Sequence, residues 1–71
     1  MSSIIIQPNS NNINTTTKII FGKNVSKTKI IEFVKKDVEL KESCGMISFI
    51  EAEEIIKQTE KVLKNENVQE V

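Results

Sequence analysis

The stretch 45–64, GMISFIEAEEIIKQTEKVLK, constrains the fold more than any other part of the chain. Ser48 offers a hydroxyl that can accept from an unpaired backbone N–H at a helix start. Glu51, three residues on, can reach back to the N–H of Ser48, and the two together make a capping box. Glu51, Glu53 and Glu54 place negative charge in the first turns, and Lys61 and Lys64 place positive charge in the last, as the helix dipole favours. Phe49, Ala52, Ile56 and Leu63 recur at helical spacing, in a stripe widened by Ile55, Thr59 and Val62. The pattern predicts a helix over 48–64 with a broad apolar face that needs cover. Gly45 suits the positive φ that closes a preceding helix.

That preceding helix is legible over 27–38. Ile30, Ile31, Val34 and Val38 share a stripe with Phe33 beside it, while Lys27, Lys29, Glu32, Lys35 and Lys36 form a solvated face. Ser26 is its expected N-cap, Leu40 can carry it on to Ser43, and Met46 and Ile47 would tuck under the next cap. Ahead of it, TKIIF at 17–21 is β-branched and aromatic and ends at Gly22, which reads as a short strand. The residues before that divide into Ile4-Ile5-Ile6 and an Asn/Ser/Thr-rich run in which Pro8 and the asparagines favour turns. Composition predicts a flexible leader over 1–16, a single small domain over 17–64 and a polar tail over 65–71. A second reading makes 3–7 a first strand, paired to the next through a long loop. The expected fold class is mainly α with one short β segment, a dimeric strand-helix-helix. The alternative takes MISFIEA at 46–52 as a strand and gives a small α+β chain, β-α-β-α.

Seventy-one residues make one domain, and 38% of them are hydrophobic, with three Phe and no Tyr or Trp. A core of that size is worth only about 3–5 kcal/mol. A single cysteine excludes an internal disulfide, and the absence of histidine leaves no zinc set and no conventional base for a nucleophile. Cys44 would have to rely on Lys41 or Glu42, and is read instead as a cysteine in a helix connection. GKNVSK at 22–27 has one glycine, unlike a phosphate loop. These exclusions predict a non-enzyme without cofactor or metal. The remaining burial is expected from a homodimer or a protein partner, docked on Phe49, Ala52, Ile56 and Leu63 of the second helix and Ile30 and Val34 of the first.

Charge is unevenly spread although the total is zero. Residues 1–36 hold six lysines and one acid, a net +5, and residues 37–71 hold four lysines and nine acids, a net −5. A basic half can meet nucleic acid or an acidic partner. Arginine, the side chain with a forked donor geometry, is absent. No run is long enough for a membrane span, and MSSIIIQPNS lacks the basic start of a signal peptide, so a cytoplasmic location is the default.

Two resemblances add to this reading. The order strand, helix, Gly turn, helix over 16–64, with Gly45, Ile47 and SFIEA at 48–52, resembles the ribbon-helix-helix repressors of the Arc and MetJ kind. That resemblance implies a dimeric, DNA-binding transcription regulator whose strand enters the major groove. Thr16, Lys18 and Ile20 would face the bases, and Ser48 would lie where the second helix grips a phosphate. The stretch 40–51 resembles the second half of an EF-hand, with Gly45 at loop position six, Ile47 at eight, Ser48 at nine and Glu51 at twelve. Leu40 and Cys44 stand where carboxylates bind calcium, so this likeness implies a metal-free, light-chain-like hairpin.

Overall fold

Two strands, Ser2–Ile6 (β1) and Thr17–Phe21 (β2), pair antiparallel and are followed by two helices, Lys27–Ser43 (α1) and Phe49–Asn65 (α2). The computed structural model describes residues 2–22 and 24–65, so most of the polar tail expected over 65–71 lies outside the described residues. The chain is a small α+β fold, mainly helical with a short β part. Each helix is 17 residues long.

The leader expected over 1–16 is corrected. Its first residues form β1, in register with β2 from Ser2 opposite Phe21 to Ile6 opposite Thr17. The reason is the alternation within Ile4-Ile5-Ile6, because a strand sends alternate side chains to opposite faces. Ile6 is 1% exposed and packs with Val34, Val38, Ile47, Ala52 and Ile55. Ile4 packs on a second cluster of Phe21, Ile30 and Leu63, while Ile5 stays on the outer face. The loop between the strands is also held. Asn12 caps a 3-10 turn at Ile13–Thr15, its side-chain oxygen accepting from Asn14 N at 3.0 Å. The Thr15 hydroxyl donates to the carbonyls of Asn9 at 2.9 Å and Asn12 at 2.7 Å. Residues whose composition suggests disorder thus satisfy each other's polar groups.

The helix ends follow the expected chemistry. Ser26 caps α1, its hydroxyl accepting from Lys29 N at 3.2 Å. At the other end Met46 N donates to Lys41 O at 2.9 Å and Gly45 N to Glu42 O at 3.0 Å, the paired bonds of a Schellman turn. Gly45 supplies the φ of +78° that this turn needs. The capping box opens α2: Ser48 N donates to Glu51 Oε1 at 2.9 Å and Glu51 N to Ser48 Oγ at 3.0 Å. The strand alternative for 46–52 is therefore set aside, since the chain is helical from Phe49.

The face of α2 turned inward is rotated from the expected stripe. Ala52, Ile55, Thr59 and Leu63 are buried, Ile56 and Val62 flank them half-buried, and Phe49 is 62% exposed. Thr59 can occupy the core because its hydroxyl donates back to Ile55 O at 2.7 Å, leaving its methyl to pack. Phe49 falls at the edge of that line, at the first residue of the helix, and stays largely exposed.

Candidate functional site

The six residues expected to bind a partner separate on folding. Ala52, Leu63, Ile30 and Val34 are each no more than 4% exposed and lie in the chain's own core. Ile56 is half-buried against the same core. Their apolar faces are covered by the other helix and by the inner face of the sheet, whose extra strand the single-strand reading lacked. That part of the expectation is corrected; of the six, only Phe49 is presented to solvent.

The candidate nucleic-acid residues also divide. Lys18 and Ile20 project from the outer face of the sheet, Thr16 is half-buried, and Ser48 is exposed. The N–H of Ser48 is engaged by the carboxylate of Glu51. That carboxylate also accepts from Asn9 Nδ2 at 2.8 Å and Asn12 Nδ2 at 3.2 Å. The backbone bond from Ser48, followed by the amides of Asn9 and Asn12, holds the Glu51 carboxyl below its ordinary pKa. Asn12 and Asn14 additionally donate to Met46 O, both at 3.3 Å. This corner joins the inter-strand loop to the helix turn. Among the described residues no three His, Cys, Asp or Glu side chains come together as a metal cluster.

A different site lies along β2. A groove of about 540 Å³ runs between β2 and α1, lined by residues 16–20 and by Phe33, Val34, Asp37 and Lys41. The helical residues recur along one stripe of α1, and Lys41 Nζ lies 3.4 Å from Thr16 O, which fixes the relative direction. Lys41 stands at the Thr16 end and Phe33 at the Ile20 end. Phe33 is 63% exposed and Ile20 58%. Lys41 also pairs with Asp37 at 3.1 Å. The hydroxyls of Thr16 and Thr17 are buried and have no hydrogen-bond partner among the described residues. The groove therefore has an apolar end and a charged end. Sequence reasoning missed it, although Phe33, a large aromatic lying beside the α1 stripe, was a signal.

Comparison with protein families, with curated proteins and with solved structures finds no match to this chain.

Proposed function

We propose that the chain is a small, non-catalytic protein-binding module. One observation supports this reading above others: large apolar side chains stay exposed over a core that is already closed. Ile20 and Phe33 flank the groove, while Met46, Phe49 and Ile50 surround the turn between the helices, with Ile13 on the loop bonded to Met46. Single exposed apolar residues are ordinary, but grouped ones on so small a chain mark surfaces that are covered by another molecule. A reducing, cytoplasmic setting suits the one free, exposed thiol, Cys44.

A dimeric DNA regulator is the second reading, favoured by Lys18 and Ile20 on the open sheet face. It is the weaker of the two, because Glu51 already brings negative charge to the α2 N-terminus where a phosphate would sit. A photo-crosslinking residue at position 33 or 49 tests the choice. The expected result is a covalent adduct with one defined protein species in cells that make the chain. A folded chain that gives no protein adduct at either position defeats the reading, and an adduct with nucleic acid from position 18 replaces it with the regulator.

A further inference from the structure

We infer that the free edge of β2 takes an extended segment of a partner protein as a third strand, with an acidic residue of that segment at the Lys41 end of the groove. This rests on the protein-binding reading above and gives the partner its form. Among the described residues β2 pairs on one side only, with β1. Among the described residues no backbone hydrogen bond from outside the sheet reaches 17–21. In an antiparallel pair alternate residues turn their N–H and C=O groups outward, so one edge of β2 presents a row of unmet donors and acceptors to the groove. The partner that satisfies such a row is another strand.

The floor of the groove fits that occupant in length. From Phe33 to Lys41 the helix advances about 12 Å. From Thr16 to Ile20 the strand advances about 13 Å. The two walls therefore run side by side for four or five extended residues, from Ile20 and Phe33 to Thr16 and Lys41. Alternate apolar side chains of the incoming segment rest against Phe33 on the helix side and Ile20 on the outer face.

Charge identifies the other end and argues against self-pairing. Asp37 is paired with Lys41, so Lys18 leaves the lining with a net positive charge, and the groove is built mainly from the half of the chain that carries net +5. A carboxylate on the incoming segment complements it. β2 of a second copy would bring a lysine and no acid, and β1 carries no charged side chain. Nucleic acid would meet the lysines but leave the strand edge unpaired.

Selection of displayed random octapeptides on the full chain tests the proposal. Enriched peptides are expected to be rich in β-branched residues and to carry an acid. On binding they should shift the NMR signals of 16–20 and 33–41 and slow amide exchange in β2. Phe33→Ala should weaken binding about tenfold, the loss typical of an interface anchor. Lys41→Gln should weaken it by a smaller factor and flatten its salt dependence, and Lys57→Ala, on the exposed side of α2, should leave it unchanged. All three side chains are at least partly exposed, so the variants are expected to fold, which circular dichroism checks. Peptides whose shifts map to Phe49 and Ile50 overturn the groove and leave the protein-binding reading standing. No enrichment overturns both. A dimer whose β2 amides are protected without peptide, or a duplex oligonucleotide bound to the same edge, overturns the proposed occupant.

Discussion

Thr15 and Thr17 stand two residues apart and are both buried, yet their hydroxyls meet opposite surroundings. The Thr15 hydroxyl donates to two carbonyls of its own loop, at 2.7 and 2.9 Å. The Thr17 hydroxyl, like that of Thr16, has no partner among the described residues. The same contrast divides the molecule. In the corner of Asn9, Asn12, Asn14, Met46 and Glu51, side-chain amides reach across more than thirty residues to meet acceptors. Along β2 and α1 the strand edge is open and apolar side chains are exposed. The corner is complete in the free chain, whereas the groove has polar groups and apolar surface left for something else. Polar completeness is thus a better guide to the free surface than apolar patterning, since the apolar stripes of both helices are largely used up inside.

The strongest way to break this comparison is to remove the side chain that ties the N-terminal segment to the core. Ile6→Ala deletes a side chain 1% exposed, packed between α1 and α2. The expected cost is about 2–5 kcal/mol, the range for large-to-small core changes. That is close to the whole stability of so small a chain, about 5 kcal/mol at the low end for natural domains. Urea unfolding should find the variant left with about 0–3 kcal/mol and its midpoint moved to much lower denaturant. A loss below about 1 kcal/mol would mean that 2–16 is an appendage after all, and the corner would lose its standing as a structural joint.

How much of this was legible in the sequence follows from the range of each interaction. The helix boundaries, the Ser26 cap, the Gly45 turn and the Ser48–Glu51 box depend on residues within a few positions of one another, and their chemistry can be read in order. The strand at 17–21 is equally local. The fate of the Asn-rich loop is not, because the acceptors of Asn9 and Asn12 on Glu51 lie 42 and 39 residues away. Without those acceptors the same residues read as a solvated leader. The outward turn of Phe49, at the edge of the expected stripe, has a related cause. Hydrophobicity favours Phe49 over Thr59, but the sheet and α1 set which side is covered, and Thr59 hides its hydroxyl within its own helix. The groove needed the register of Lys41 against Thr16, which no local pattern contains.

A paired substitution sharpens the contrast between the two threonines. Thr15→Val leaves the carbonyls of Asn9 and Asn12 without their hydroxyl donor and should destabilise by about 1 kcal/mol. Thr17→Val removes a buried hydroxyl that bonds to none of the described residues and keeps the branched shape a strand favours. It should stabilise by about 1 kcal/mol, the lower end of the penalty for an unsatisfied buried polar group. Denaturant midpoints measured side by side check the opposite signs. Equal destabilisation of both variants would show that the Thr17 hydroxyl does have a partner, and the two regions would no longer differ in this respect.

The smallest effect is expected from titrating the corner. Bonds from Ser48, Asn9 and Asn12 favour the charged form of Glu51, so its carboxyl ionises at lower pH in the folded chain than the ordinary value of 4.5. A depressed folded-state pKa contributes stability that is fully present above the unfolded value and is lost as pH falls through the folded one. The corner should therefore hold at neutral pH and weaken progressively below about 4.5, where the unfolded chain takes up the proton first. Because Glu51 is only half-buried, solvent screens the effect and the slope should be shallow. Glu51→Gln keeps an acceptor oxygen but cannot titrate, so its melting temperature should fall less than that of the parent between pH 5 and pH 3. NMR signals of Asn9 and Asn12 should follow the same titration in the parent, while those of Phe33 and Ile20 should not move with it. If the groove signals titrate together with the corner, the two regions are one coupled unit, and occupation of the β2 edge would be felt at the α2 N-terminus.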